Sequence, residues 1–537
     1  MTIIIRRSAP QLLLIAREYR KIRRCALTGR RLQRTFASLL VAAVLAGCAS
    51  LPPLDARTAS HAIEAPTGSA LRAAVDPLAA RHAERSGIYP LKDGPGAFAA
   101  RVALVNAAVS SIDVQYYIWH DDTTGSLMFD ALRRAADRGV RVRLLLDDLT
   151  TRGGLDGTLA ALGAHANVQV RLFNPFRHRS FRSVDYLTDF SRLNRRMHNK
   201  SLTVDGVATI IGGRNIADEY FQAGAGLGYI DLDVLAIGAV VSDVSRSFDE
   251  FWGSDSSYPA SFLIDPAKAA DLKQLDSLAE RARSAPGSER YTRAIRDSQL
   301  AQDVTTGQIP FIWASTHLVV DDPAKGLGEA AKGAELTRRL EATLQHKVSE
   351  EFLIVSPFFV PRTIGRDMLT GLAGSGVKVR VLTNGAESAD VDAACAAYRT
   401  YRKDLLKAGV DLFELKRASA GAEPEGAKTS LHAKTLAIDR AQIYVGSFNF
   451  DPRSANLNTE IGLVIDSPEL AGALSRAFEE DVPLHAYELE LEKGDIVWLE
   501  RGAGGEKAQR LTHEPGAGFW RRTWLGFLAL LPIEGEL

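Results

Sequence analysis

The sequence predicts an α/β protein of sandwich type built twice over, and three observations carry that reading. Helical and strand-like patterns alternate along both halves of the chain; in both halves a helix runs into a buried strand through Gly-Val, as "DRGVRVRLLL" and "GSGVKVRVLT"; and each half ends in the same histidine–lysine motif. With 46% apolar and 24% charged residues, the 537-residue chain has ample material for a large core.

The elements follow in order. In the first half the patterns read helix ("FAARVALVNAAVS"), strand ("IDVQYYIW"), helix ("SLMFDALRRAADRG") and buried strand ("VRVRLLLDD"). The second half repeats them with a helix near 335–347, the strand "EEFLIVSPFFV", the helix "RDMLTGLAGSG" and the strand "VKVRVLTN". Such alternation makes a βα-type sheet, mixed and mostly parallel, flanked by helices. The duplicated bodies are expected over 96–255 and 301–537, with a linker at 256–300 rich in Ser, Ala and charge. Residues 48–95, full of Ala, Pro and short polar residues, read as a tether.

Ahead of the tether the composition changes. Ten Lys/Arg residues precede the apolar run "FASLLVAAVLAG", which reads as a secretory signal over 1–47 rather than a membrane span. "LAGC" at 45–48 resembles the bacterial lipobox, which implies diacylation of Cys48; Ala49, by the family's sorting rule, implies the outer membrane facing the periplasm. Cys25 would leave with the signal and Cys48 would carry lipid. That leaves Cys395 alone and no intrachain disulfide. Removing the ten basic residues and one acidic residue of 1–47 from totals of 65 and 65 leaves a charge of −9, so nucleic acid is an unfavoured partner.

The repeated motif is "MHNKSLTVDGVATIIGGRN" at 197–215 and "LHAKTLAIDRAQIYVGSFN" at 431–449. Residues two apart on a strand share a face, so His198 and Lys200 lie with Leu202 and Val204, and His432 and Lys434 with Leu436 and Ile438. An ammonium on an inward face needs an anion or a wet cleft. Asp205 and Asp439 fall on the opposite face, at the turns Asp205-Gly206 and Asp439-Arg440, where they shape the hairpin. Gly212, Gly213 and Asn215, with Gly446, Ser447 and Asn449, look like an anion cradle. Further on, "YIDLDVLAIG" and "NTEIGLVID" offer Asp231 and Glu460, either able to accept a hydrogen bond from an imidazole; Asp233 is an alternative to Asp231. The spacings from His198 to Asp231 and from His432 to Glu460 are 33 and 28 residues.

H-x-K-x4-D-x6-G-[GS]-x-N, present twice, resembles the phospholipase D superfamily. "RMHNKS", "GGRNIADEYF", "SPFFVP", "YRKDLLKAGVDLFELK" and the tail "EPGAGFWRR…LLPIE" are similar to its bacterial cardiolipin-synthase branch. The resemblance implies two phospholipase D-like domains related by a pseudo-twofold axis with one active site between them. It also implies a covalent phosphohistidine on one histidine, with the other as general acid and base. The signature positions His198, Lys200, Asp205, His432, Lys434 and Asp439 then form the catalytic set. By analogy His198 is the nucleophile and His432 the acid, roles that could be exchanged, with Asp231 orienting His198 and Glu460 orienting His432.

Lys200 and Lys434, with Asn215, Asn449 and Ser447, would hold the nonbridging oxygens on the Gly213 cradle, without metal or cofactor. Related synthases usually carry histidine where this chain has Cys395, which leaves headgroup preference open. The implied partners are an anionic phospholipid donor and acceptor at a membrane surface, with the need for an accessory protein open. Hydrolysis to phosphatidic acid, a nuclease and a lipid-binding scaffold are the competing readings.

Two flanking segments each allow two readings. "FRHRSFRSVDYLTDFSRLNRRMHNK" is either a positive mouth that includes Arg196 or a solvated stretch ion-paired through Asp185 and Asp189. "FWRRTWLGFLALL" at 519–531 is too short to span a membrane and either sits at an interface or packs as a C-terminal element.

Overall fold

Short strands that alternate with helices build one large mixed sheet and a separate two-stranded one in the computed structural model, with helices over the faces of the large sheet. The structure describes residues 51–536 apart from 152, 223–226, 286–287, 298–302, 304–307, 330–334, 418–427, 503–507 and 533. The signal and lipobox expectations at 1–48 lie outside the described residues.

The first half contributes β1 (Ser86–Leu91), β2 (Ser111–Tyr116), β3 (Arg141–Asp147), β4 (Val168–Phe173), β5 (Ser201–Val204), β6 (Ala208–Gly212), β7 (Leu227–Ile230), β8 (Asp233–Gly238) and β9 (Ser257–Pro259). The second contributes β10 (Ile312–Val320), β11 (Glu351–Val355), β12 (Lys378–Asn384), β13 (Asp411–Leu415), β14 (Lys428–Leu431), β15 (Thr435–Ile438), β16 (Gln442–Gly446), β17 (Ile461–Asp466), β18 (Ala486–Glu492), β19 (Asp495–Glu500) and β20 (Gln509–Leu511). Their ladders run alike. β2, β3 and β4 are parallel neighbours, and β5, β6 and β8 continue antiparallel from β2. β11, β12 and β13 are parallel, and β15, β16 and β17 continue antiparallel from β11.

Two ladders join the copies. β1 pairs with β8 on one side and β10 on the other, and β10 passes on to β17. β7 pairs in parallel with β14. Ile88, Ile211, Val234 and Ala236 share a core with Leu353, Val355, Leu463 and Ile465, so the seam between the copies is hydrophobic.

The expected tether is corrected for residues 53–95. Arg57 donates to the carbonyls of Gly253 and Ser257 at 2.7 and 3.2 Å, the helix Ala70–Ala80 buries Leu71 and Val75, and β1 lies inside the sheet. Its polar residues find partners on the body, which composition does not reveal. The expected linker also packs. The helix Ala269–Ser284 puts Leu275, Leu278 and Ala282 into the core of the first half.

Residues 53–176 and 191–537 fall in one compact unit, and residues 177–190 in another. In the latter, Arg177 pairs with Asp189 at 2.7 Å, and Asp185 is taken by His178 at 2.5 Å rather than by an arginine.

Candidate active site

The motif residues stand just before β5 and β15 rather than within them, so the extended chain delivers each histidine to the strand's leading end. His198 and His432 are each 6% exposed, and Lys200 and Lys434 each 1%. Each lysine curls back onto its own histidine: Lys200 Nζ donates to the His198 carbonyl at 2.5 Å, and Lys434 Nζ to the His432 carbonyl, 3.1 Å from His432 Nδ1.

The carboxylates pair crosswise, against the expected arrangement. His198 Nδ1 lies 2.8 Å from Glu460 Oε2, and His432 Nδ1 lies 2.6 Å from Asp231 Oδ2. The backbone shows why: His198 N–H donates to the Thr459 carbonyl at 2.9 Å, and His432 N–H to the Ile230 carbonyl at 2.8 Å. Each histidine is thus tied to the residue that precedes the other half's carboxylate. Asp233, the alternative to Asp231, is instead held by Arg101 at 2.9 Å and Arg214 at 3.2 Å.

Three expected substrate contacts are reassigned. Ser447 Oγ donates to Glu460 Oε2 at 2.5 Å and accepts from Ile461 N–H at 3.0 Å, which occupies it with the carboxylate. A Cβ on Gly213 would stand 2.1 Å from Asp231 Oδ1, so this glycine makes room for the aspartate rather than for an anion. Arg196 is 1% exposed and spends its guanidinium on Asp147 and the carbonyls of Asn174 and Leu193, because a buried cation needs full satisfaction. Asn215 accepts from Ile118 N–H at 3.1 Å, with its amide close to Tyr220; Asn449 is buried beside the second motif.

Asp205 and Asp439 are removed from the reacting set. Asp205 accepts from the amides of Val109, Ser110 and Ser111, and Asp439 from those of Ser349, Glu350 and Glu351, at the far ends of β5 and β15. Both have positive φ, 57° and 51°, as the tight turns demand.

Sequence reasoning missed two positioning groups. Asp147 accepts from Met197 N–H at 2.8 Å, and Asn384 exchanges two bonds of 3.0 Å with the Leu431 backbone. Each pins the residue before a motif histidine. The signal was present, since Asp147 and Asn384 end the two strands that follow Gly-Val. Three tyrosines were also missed: the ring of Tyr117 lies 5.0 Å from that of His198, and the rings of Tyr220 and Tyr229 lie 4.9 Å from that of His432.

The pairs differ electrostatically. Burial, followed by Lys200 and Lys434, drives His198 well below the usual imidazole range, and burial with Lys434 lowers His432 to about 4. Burial lifts Glu460 to about 7, whereas Asp231 is held at about 2 against its own burial by His432, Lys434 and Arg214. Burial lowers Lys200 well below the ammonium range and Lys434 to about 8. Two imidazoles, each tethered at Nδ1 by a carboxylate, can exchange protons and attack an electrophile through their remaining nitrogens.

Among the described residues, His120, Asp122 and Glu219 also bring ligand-type atoms within 4.8 Å of one another. Asp122 there caps the Gly125 amide and accepts from Asp218 N–H, a structural role that leaves the site chemistry to the motif residues.

Comparison with known proteins places this geometry. The family model described as "Cardiolipin synthase, PLD-like domain" matches residues 102–252 and 342–482. Cardiolipin synthase C of Escherichia coli K12 is 44% identical over 472 residues, which cover 86% of this chain and 99% of that protein. A cardiolipin synthase of Oceanobacillus iheyensis is 25% identical over 402 residues, covering 75% of this chain and 70% of that one. The crystal structure of phosphatidylserine synthase from Haemophilus influenzae superposes with a TM-score of 0.51 at 15% identity, covering 75% and 87% of the two chains, a likeness of fold.

Proposed function

The chain belongs to the family of cardiolipin synthases with phospholipase D-like domains, and from that premise we propose that it moves a phosphatidyl group between phospholipids through a covalent phosphohistidine. The observation that carries the mechanism is the pair of buried imidazoles, each bonded at Nδ1 to a carboxylate of the other half.

His198, kept neutral by burial, attacks phosphorus through Nε2 as the bond to the departing glycerol oxygen breaks; His432, lowered to about 4 by burial and raised again into its protonated form by the incoming phosphate anion, delivers a proton to that oxygen. In the second step His432 takes the proton of an incoming lipid alcohol as its oxygen attacks phosphorus. The P–N bond breaks, and His198 returns to its neutral form. Glu460 and Asp231 fix the tautomers and balance the positive charge that develops on each ring. Lys200, Lys434, Asn215 and Asn449 neutralise and hydrogen-bond the nonbridging oxygens. Water in place of the alcohol gives a phospholipase D.

The substrates in this reading are phospholipids, and the enzyme works at a membrane of the bacterial envelope. A lipid on Cys48 holds it there, at the outer membrane facing the periplasm; loss of radiolabelled palmitate from a Cys48→Ser chain tests that anchor. The catalytic reading is tested by lipid mass spectrometry after incubation with vesicles of phosphatidylglycerol and defined acceptor lipids. Cardiolipin is expected from the wild type and none from His198→Ala. Phosphatidic acid as the sole product replaces transfer with hydrolysis, and full turnover by His198→Ala or His432→Ala ends the assignment of those residues.

A further inference from the structure

Residues 519–531 carry an apolar ridge that the chemistry above does not use. The helix Phe519–Leu528 has ten residues, and no helix among the described residues is long and apolar enough to cross a membrane. Its inner side is anchored: Leu525 is fully buried, Leu528 and Ala529 pack with it against Ala386, Cys395 and Ala396, and Arg521 pairs with Asp392 at 2.9 Å. Its outer side is bare, with Trp520 81%, Trp524 50%, Phe527 52% and Leu530 82% exposed. Single exposed apolar residues are ordinary, whereas a contiguous stripe at helical spacing marks a binding surface.

The ridge also has a definite place. Asp392, which holds Arg521, is two residues from Asp390, whose carboxylate accepts from the Tyr229 hydroxyl at 3.0 Å. The Tyr229 ring lies 4.9 Å from that of His432. Val391, between the two acids, is itself 40% exposed. The ridge therefore borders the rim on the His432 side of the site.

We propose that this helix docks the enzyme on a bilayer containing anionic phospholipid. Trp520, Trp524 and Phe527 enter the boundary between headgroups and acyl chains, and Arg522 meets the lipid phosphates. Tryptophan and phenylalanine with adjacent arginine on a short amphipathic helix match the polarity gradient of that boundary. Among the described residues no acid pairs with Arg522, so charge complementarity favours an anionic surface over a second copy of residues 48–537, whose net charge is −9, only through this cation and not through the body as a whole. The proposal rests on the phospholipid-transfer reading, because docking beside His432 shortens the path of a lipid phosphate to the site.

The test compares full chains carrying Cys48→Ser, so that no lipid anchor contributes. Vesicles of phosphatidylcholine with and without phosphatidylglycerol, brominated near the top of the acyl chain, are used to quench tryptophan fluorescence. Trp119, Trp252 and Trp498 are buried and Trp313 is half-buried against His82, so the quenching assigned to the ridge is the part that the Trp520 and Trp524 substitutions remove. Expected are quenching that disappears in Trp520→Ala/Trp524→Ala and a loss of vesicle affinity of about tenfold or more. Turnover should fall likewise in vesicles but stay unchanged with the same lipid in detergent micelles. Arg522→Glu should weaken binding only where phosphatidylglycerol is present. Unquenched wild type, or a double variant that binds as wild type does, overturns the proposal, as does a dimer in sedimentation that the double variant dissolves. Quenching without turnover in either vesicles or micelles retains the docking surface and removes the transfer reading instead.

Discussion

Gly213 and Ser447 hold the same position in the two motifs, and the exchange of one atom group between them separates the two histidine pairs. Gly213 admits Asp231 where a Cβ would stand 2.1 Å from its oxygen, while Ser447 gives Glu460 a hydrogen bond at 2.5 Å. Asp231 remains ionised at about 2 and supports both His432 and Lys434, the latter titrating at about 8 because burial lowers it. An ammonium with a lowered pKa is charged below it and neutral above, so phosphate binding that relies on Lys434 is full at acidic pH and fades as pH rises through about 8. The kcat/KM profile should show that alkaline limb. In Asp231→Asn the limb should move to lower pH, and activity at neutral pH should fall about a hundredfold or more; an unmoved limb would exclude Lys434 as its source. The motif residues themselves were legible, because a doubled histidine–lysine pattern has no common structural explanation. The tyrosines were not, since an aromatic residue in a strand reads equally well as core packing.

At the scale of elements, the two hairpins explain why the motif aspartates accompany the histidines without touching them. Asp205 adopts a positive φ of 57° and gathers three amides of the chain entering β2, and Asp439 does the same for β11. Removing Asp205 leaves those donors unpaired, at a cost of about 3 kcal/mol. Asp205→Ala should therefore lower the denaturation midpoint while the folded fraction retains its turnover; lost turnover at an unchanged midpoint would return Asp205 to the catalytic group. Alternation and the Gly-Val junctions made the helices and inner strands readable. The order in residues 53–95 was not, because Arg57 and its neighbours are held by carbonyls near 253–257, far away in sequence. Local patterns carry no record of such partners.

In the molecule as a whole, the seam between the halves decides the chemistry. The core shared by Ile211, Val234, Leu463 and Ile465 and the pairing of β7 with β14 bring each histidine to the other half's carboxylate. A double-mutant cycle on stability should give a coupling between His198→Ala and Glu460→Gln of about 1 kcal/mol or more, and a smaller one between His198→Ala and Asp231→Asn. The reverse order would contradict the crossed pairs. The α/β class, the two histidine–lysine pairs and the turn function of the aspartates follow from periodicity and spacing within about twenty residues, and the recurrence of the same pattern at 197–215 and 431–449 gives the duplication. Which carboxylate serves which histidine, the contacts of Ser447, Gly213 and Arg196 with protein groups, and the exposure of the aromatic side of the helix Phe519–Leu528 depend on the folded arrangement. A hydrogen bond joins groups close in space whatever their separation along the chain, and for His198 and Glu460 that separation is 262 residues.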